Sequence, residues 1–575
     1  MPLSFTDETE FNWQLRKICV IGPGIVGMPM AALIAAAEIK EGSDEPAKVV
    51  VVQRDSKTSG WKVPAINAGK SVIGGVEPAL DAIVAKSVAD GVLSASHDYS
   101  TTADADMVLV CVQTDKKGFG PDYGPMFECL KNLASALQSK PEGNIPVIAF
   151  ESTLAPSSMT TLIREHFAEY GLIEGQDILL GNSPNRVMPG RLVERVAESD
   201  KLVAGLHPLT PKLIQRVYKH IVTRGTLHPT NSMTAEVVKT LENAYRDVRI
   251  AYAAELVRYC DKSDIDFFAL RDAVNARFGQ EDAASGSATA VPSGAVLVPT
   301  VGVGGHCLPK DGILLWWRRI ESGFDTSNSL IVQSRVINDE SPAHAISLAE
   351  KAFGSLKGRK VALLGTAYRF DSEDTRNSPT LDLARQLLDL GADITIHDPY
   401  VKRDDQNLER RELTDYFTNE LGDALADADI AIICTGHGVY ASGLDDILSA
   451  APKLEGLVDG ANVYGASAFE DKAVGYTGIG RGTQSPPEAL IDFATESFRA
   501  VEHGVANELS ALIDFLNERY ASSDFNQVSL DRVRELAGSC VTGCVIAETK
   551  ADLTVPEYEG FSSRLATFAV NQLNA

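Results

Sequence analysis

Short apolar runs alternate with turn signals along the first two hundred residues. KICVI (residues 17–21) and KVVVV (48–52) predict buried strands, and the Ala-rich stretch running toward Ala37 predicts a helix between them. Apolar runs at 107–112 (MVLVCV) and 145–150 (IPVIAF) predict further strands, completing an α/β domain up to about Leu206. Residues 231–259 hold no Gly or Pro. Val237, Leu241, Ala244, Val248, Ala251 and Leu256 recur there at roughly helical spacing, with cap candidates in NSMT at the start. Lys239 and Asn243, four apart, share a different face of that helix. Residues 280–294, rich in Ala, Ser, Gly and Asp, read as a loose surface insertion. A second α/β unit begins at Lys360: KVALLG, DITIHDPY, ADIAIICTGH and GLVDGAN supply at least four strands, with a helix over 382–390. From about Thr483 the pattern turns helical. Leu490, Ala494, Phe498 and Val501 fit one helix, Val505, Leu509, Leu512, Leu516 and Tyr520 a second, and Leu530, Val533 and Leu536 a third.

The turn after the first strand is GPGIVG, and its place in a strand, turn, helix, strand unit is the context a dinucleotide fingerprint requires. Gly22 makes the tight turn, Gly24 admits a pyrophosphate, and Gly27 lets helix and strand pack closely; the helix start adds amides and partial positive charge. The fold class expected is therefore α/β, with two Rossmann-like domains joined by a long central helix and followed by a C-terminal helical extension. Domain limits fall at 1–206, 207–340, 341–482 and 483–575.

Composition narrows the partners. A 575-residue chain is long enough for several cores, and its net charge of −25 argues against a nucleic-acid or anionic-membrane partner. No apolar run is long enough to span a membrane, and the acidic start MPLSFTDETEFNW does not resemble a signal peptide, so a cytoplasmic setting is expected. The eight cysteines lie scattered without zinc spacing, so no metal site is expected. Cys540 and Cys544, four apart, read as a packed pair. One cysteine stands out: Cys307 in VGVGGHCLPKDG (301–312), behind a glycine-rich turn, beside Lys310 and four residues before Asp311. A thiolate is a strong nucleophile, and a nearby lysine favours it.

With FESTLAP (150–156), NSPNRVMPG (182–190), VVKTLENAYRDVRIAYAAEL, LGTAYRFDSEDTRNSP (364–379) and TGHGVY (435–440) in this order, the chain resembles the UDP-glucose/GDP-mannose dehydrogenase family over about residues 16–482. The GGHC turn is closest to members acting on UDP-N-acetylhexosamines. The resemblance implies an oxidation of a sugar CH2OH to a carboxylate in two NAD(P)-dependent steps, through a thiohemiacetal and then a thioester on Cys307. It implies that Lys239 and Asn243 stabilise an oxyanion or position water, that Asp311 works with that lysine in proton transfer, and that Thr114 helps place water. It assigns Gly22, Gly24, Ile25, Val26, Gly27, Thr114, Glu151 and Thr153 to the cofactor. Arg186, Gly304, Gly305 and Arg369 fall to the UDP-sugar, which the third domain would hold. The long helix resembles the family's dimer interface, so a homodimer or larger assembly is implied.

Three positions depart from the family pattern. Asn185 stands where the family usually has a glutamate that activates water for thioester hydrolysis, and an amide is no general base at neutral pH. Glu151 or another carboxylate compensates, Asn185 orients water, or the second half-reaction is slow. After the second strand comes QRDS: Arg54 and Ser56 suit a 2′-phosphate, whereas Asp55 suits ribose hydroxyls if the strand ends one residue later. The family favours NAD, with NADP as rival. Ala461 lies near a position often held by arginine. Alternative readings are a UDP-glucose 6-dehydrogenase, a two-electron hydroxyacid-type dehydrogenase, and a weakened nucleotide-sugar-binding protein.

Overall fold

The computed structural model describes residues 11, 13–74, 77, 79–187, 191–284, 296–539 and 544–571. Met188 to Gly190 of the NSPNRVMPG motif, most of the acidic N-terminus and Cys540 lie outside these, and with Cys540 the pairing read for Cys540 and Cys544. The chain divides into two compact units. One comprises residues 1–242, 314–324 and 509–545, the other 243–313, 325–508 and 546–575.

The first unit is built on an eight-stranded sheet. Its strands are β1 (Lys17–Ile21), β2 (Lys48–Val52), β3 (Leu93–Ser96), β4 (Met107–Val110), β7 (Val147–Phe150), β8 (Leu179–Asn182), β9 (Lys201–Gly205) and β10 (Leu227–Asn231), with a small hairpin of β5 (Asp115–Lys117) and β6 (Gly120–Asp122) beside it. The order β10-β9-β8-β7-β4-β1-β2-β3 places the switch point between β1 and β4. Pairing is parallel throughout except where β9 meets β8 antiparallel, so β9 and β10 run against the rest. The central strands are buried on both faces, as a parallel sheet requires: Val20, Leu109, Ala149 and Leu179 belong to one core, Cys19, Val110, Ile148 and Leu180 to the other.

The second unit holds six parallel strands in the order β13-β12-β11-β14-β15-β16: β11 (Lys360–Leu364), β12 (Asp393–His397), β13 (Phe417–Thr418), β14 (Ile430–Ile433), β15 (Gly456–Asp459) and β16 (Gly475–Gly478). This is the expected α/β class with two Rossmann-like sheets. The central helix runs from Ser232 to Ser263, and Asn231 caps it, its Oδ1 accepting from Thr234 N at 2.8 Å. Two local expectations fail. The helix Phe267–Ala284 continues through the first residues assigned to a loose insertion, the rest of which lies outside the described residues. The two helices expected between 490 and 520 are one, Glu488–Tyr520. Gly504 does not break it. A Cβ there would lie 2.4 Å from the Ala569 Cβ, so the glycine serves close packing. Among the described residues, no helix is long and apolar enough to cross a membrane.

Candidate functional site

In the first unit, the glycine turn follows β1 at the switch point. Gly22 adopts φ +90° and donates to Val52 O at 3.0 Å. A Cβ on Gly27 would stand 2.2 Å from Gly22 O and 3.0 Å from Cys111 Cβ, whereas one on Gly24 would meet nothing within 4 Å. The turn is therefore closed behind and open in front. The helix Gly27–Ala36 begins here with no side-chain cap on Val26 and no acid in its first turn, and Ile25 is exposed over it. Uncapped amides at a helix start facing open space fit a dinucleotide pyrophosphate. Lys62, which sequence reasoning missed because it lies past the motif, donates from Nζ to Pro23 O at 3.3 Å; burial holds its ammonium below the usual range.

Beyond β2, Arg54 pairs with Glu128 at 2.8 Å and Ser56 Oγ lies 2.7 Å from Ser59 Oγ. Asp55 is exposed, its Oδ1 close to Gly60, where a Cβ would come within 2.5 Å. Of the three candidates for the ribose end, the arginine and the serine are engaged with protein groups. The carboxylate faces solvent.

The loops after β4, β7 and β8 meet at the same edge of the sheet. Thr114 Oγ1 donates to Thr153 O at 2.7 Å. Glu151, buried, gathers three donors: Asn185 Nδ2 and Lys201 Nζ (2.8 Å) on Oε2, and the Tyr218 hydroxyl on Oε1. Lys201 also donates to Ser183 O at 2.9 Å. Burial lowers the Lys201 ammonium, against the pull of Glu151, and burial with the Glu151 charge pushes the Tyr218 phenol far up. Lys201 and Tyr218 were missed because nothing marks them in sequence; each comes from a segment after the recognised motifs. Glu151 was assigned to the cofactor, yet its carboxylate is occupied by protein donors. Arg186 likewise is held by Glu242 of the central helix, by the carbonyls of Asp200 and Leu536 (both 3.2 Å) and by Ser539 Oγ at 3.3 Å. Its guanidinium here ties the central helix to the extension; contact with substrate was the expectation.

In the second unit, Cys307 precedes the helix Leu308–Glu321, and its carbonyl accepts from Lys310 N (3.1 Å) and Asp311 N (2.9 Å). Asp311 is fully buried one turn on. Asn243 Nδ2 donates to its Oδ2 at 2.6 Å, and Lys310 Nζ lies 3.7 Å from Oδ1. The link between Asn243 and Asp311, 68 residues apart, joins two residues singled out independently. Cys307 is exposed, the one such thiol among the seven free cysteines described.

The glycines ahead of Cys307 pack against the chain itself. A Cβ on Gly304 would meet Tyr368 Cβ at 2.5 Å and Asn377 O at 2.8 Å, and one on Gly305, at φ +89°, the Tyr368 ring at 2.9 Å. Gly305 also donates to Arg376 O at 2.8 Å and accepts from Asn377 Nδ2 at 2.9 Å. The expected close approach of Gly304 and Gly305 to a sugar diphosphate is thus an approach to the loop after β11. Arg369, in that loop, is half-buried, with its guanidinium 5.6 Å from the Phe370 ring centroid. Nearby, His437 of TGHGVY accepts at Nδ1 from Asp371 N (2.8 Å), which fixes the tautomer that donates from Nε2 to Asp398 at 3.1 Å. Burial opposes ionisation of Asp398, but the His437 bond and the Ala367 amide outweigh it and keep the carboxyl low.

Three family models match the chain: the UDP-glucose/GDP-mannose dehydrogenase family's NAD binding domain over residues 16–222, its central domain over 233–340 and its UDP binding domain over 362–466. A UDP-N-acetyl-D-mannosamine dehydrogenase of Campylobacter jejuni is 30% identical over 434 residues, spanning 74% of this chain and 96% of that protein. One from Pyrococcus horikoshii is 28% identical over 472 residues, spanning 81% and 99%. The crystal structure of an NDP-N-acetyl-D-galactosaminuronic acid dehydrogenase from Methanosarcina mazei Go1 shares 31% identity and superposes with a TM-score of 0.69, covering 83% of this chain and 97% of that one. With these domains in this order and relatives covered almost end to end, the chain belongs to the UDP-glucose/GDP-mannose dehydrogenase family, as an NAD-binding nucleotide-sugar dehydrogenase.

Proposed function

We propose that the chain oxidises the CH2OH of a UDP-N-acetylhexosamine to the uronate through a thioester on Cys307. The observation that carries this reading is the contrast among the thiols. Burial pushes Cys19, Cys129, Cys260 and Cys434 up to about 12 and keeps them from solvent, whereas Cys307 is exposed at the head of a helix, where a substrate carbon can reach it. The UDP binding domain supports a UDP-sugar, and relatives named as UDP-N-acetyl-D-mannosamine dehydrogenases support an N-acetylhexosamine.

NAD, bound at the glycine turn, supplies the hydride acceptor for each oxidation. Cys307 Sγ adds to the aldehyde carbon, and loss of a second hydride leaves the thioester; covalent capture keeps the aldehyde from escaping. Lys239 and Asn243, one turn apart on the central helix, stabilise the oxyanion, and Asp311, held by Asn243, exchanges the proton. Water then forms the C–O bond as the C–S bond breaks, returning the thiol. Because Asn185 donates its amide N–H to Glu151, its Oδ1 is left to accept from that water. Asn185 thus orients water, with Thr114, and does not deprotonate it. Arg369 binds the diphosphate.

The test is a panel of UDP- and GDP-sugars followed by reduced-cofactor release and intact-protein mass after a single turnover. Two reduced cofactors per sugar, a free uronate and a higher kcat/KM for a UDP-N-acetylhexosamine than for UDP-glucose are expected. Cys307→Ala should lose activity by about a thousandfold or more. A stable acyl adduct without free acid would sink the assigned hydrolysis; one reduced cofactor per sugar would sink the double oxidation. Binding without turnover would mark a nucleotide-sugar-binding protein.

A further inference from the structure

The central helix is covered by its own chain almost all the way round. Of residues 232–263, only Arg246 and Lys262 are exposed. Of the half-buried positions, Lys239, Asn243 and Ile250 join Arg246 at spacings of four, three and four residues, which is one stripe of a helix, and Arg258, Tyr259 and Ser263 lie in its last two turns. Ahead of Arg258 the accessible stripe is therefore the one that bears Lys239 and Asn243. The remaining faces are covered, and within the second unit two elements do it: the helices Leu330–Asp339 and Ser341–Phe353, through Arg335 and Asn338 on Asp247 and His344 on Asp261, and the C-terminal extension.

The cover is specific. Phe498 of the helix Glu488–Tyr520 packs its ring 5.0 Å from that of Tyr252, whose hydroxyl donates to Ala494 O and lies within hydrogen-bond distance of Ser497 Oγ, both at 2.6 Å. Tyr245 donates to Glu502 at 2.9 Å. Further along, Glu255 accepts from Ser563 Oγ (2.8 Å), Arg564 N (3.0 Å) and Leu565 N (3.3 Å) at the start of the last helix, Arg564–Asn571. Tyr259 stacks on Phe561 at 4.6 Å. A buried carboxylate that accepts two backbone amides and a hydroxyl is an anchor, since removing it strands three donors. The exposed residues of the long helix are Glu488, Ala489, Asp492, Glu496, Ala511, Asp514, Glu518 and Arg519, a mostly acidic set facing solvent.

We propose that the C-terminal extension sheathes the central helix in cis and takes the place that a second copy of the chain would occupy there. A stable protein interface buries about 800 Å² on each partner. Two exposed side chains in thirty-two residues cannot supply it. The homodimer through the long helix, implied by sequence resemblance, is then replaced by an intramolecular contact.

Sedimentation velocity and hydrogen exchange on the full chain, from about 1 to 100 µM, test this. The expected result is a single-chain mass at every concentration, or self-association that leaves exchange over residues 244–258 unchanged. Self-association with protection of 244–258 that is lost on dilution overturns it, whether the second copy packs helix to helix or exchanges extensions. In a second arm, Phe498→Asp should raise exchange over 244–258 at least about tenfold and produce concentration-dependent association, while Phe498→Leu behaves as wild type. If Phe498→Asp leaves that protection intact, the sheath is refuted. None of these readouts depends on turnover, so they stand or fall apart from the assigned reaction.

Discussion

At the scale of single residues, the glycine turn separates two requirements that a motif merges. Gly27 is needed by the fold: its missing Cβ leaves room for Gly22 O at 2.2 Å and Cys111 Cβ at 3.0 Å. Gly24 is needed by whatever lies in front, because a Cβ there meets nothing of the protein. Gly27→Ala should therefore cost about 1–3 kcal/mol in urea unfolding and weaken NAD binding with it. Gly24→Ala should keep wild-type stability and raise KM for NAD alone. Equal losses of stability in both variants would refute the distinction. The same scale shows where sequence reading ran short. Cys307, Asn243 and Asp311 were legible because family-like strings mark them, and the hydrogen bond between Asn243 and Asp311 joins two of them. Lys201 and Tyr218 were not, since a buried lysine and tyrosine gain meaning only from the carboxylate of Glu151 they meet.

Elements were legible in proportion to how apolar and how local they are. β1 and β2 fall on the residues expected, because all-apolar runs bounded by polar turns admit few other readings. β3 (LSAS) and β10 (LHPTN) lie at the two ends of the sheet, half-buried and poor in apolar residues, and carried no such signal. The helix Glu488–Tyr520 reads as two because its apolar positions fall into two sets, 490–501 and 505–520; Gly504, between them, packs against Ala569 and the helix runs on. Between elements, charge makes ties that periodicity cannot forecast. Glu41 meets Arg216 (2.8 Å) and Lys219 (2.7 Å) near the end of the helix Leu209–Tyr218, with His220 at 3.3 Å. Partial burial pushes its carboxyl up, but the bonds from Lys219, Arg216 and His220 outweigh that and hold it at about 2, against an ordinary 4.5. A carboxyl whose folded value is lowered contributes stability that is present above the ordinary value and is lost as pH falls toward the folded one. Glu41→Gln should thus be less stable than wild type at pH 7, with the gap closing between about pH 4.5 and 2. A gap in urea midpoint that stays constant through that window would show that Glu41 is not the titrating group.

For the whole molecule the governing quantity is charge. Seventy-eight acidic side chains face fifty-three basic ones, leaving a net −25. Many of the basic groups sit in exposed pairs such as Lys86 with Asp90 and Lys453 with Asp427. Two effects of salt therefore compete. Screening weakens exposed pairs, but each contributes only about 0–1 kcal/mol, and the short-range ones are least affected. Screening also relieves repulsion among the unpaired acids, which acts over longer distances and grows with the square of the excess charge. The Debye length falls from about 30 Å at 0.01 M to about 3 Å at 1 M, so the repulsion is removed well before contacts at 2.6 Å are. The repulsive term should win. The urea midpoint is expected to rise as KCl goes from about 0.01 M to 0.5 M and then to level off, because further shortening of the Debye length finds little repulsion left to screen. A midpoint that falls steadily over that range would mean that ion pairs, and not the excess acid, set the electrostatic balance of this chain.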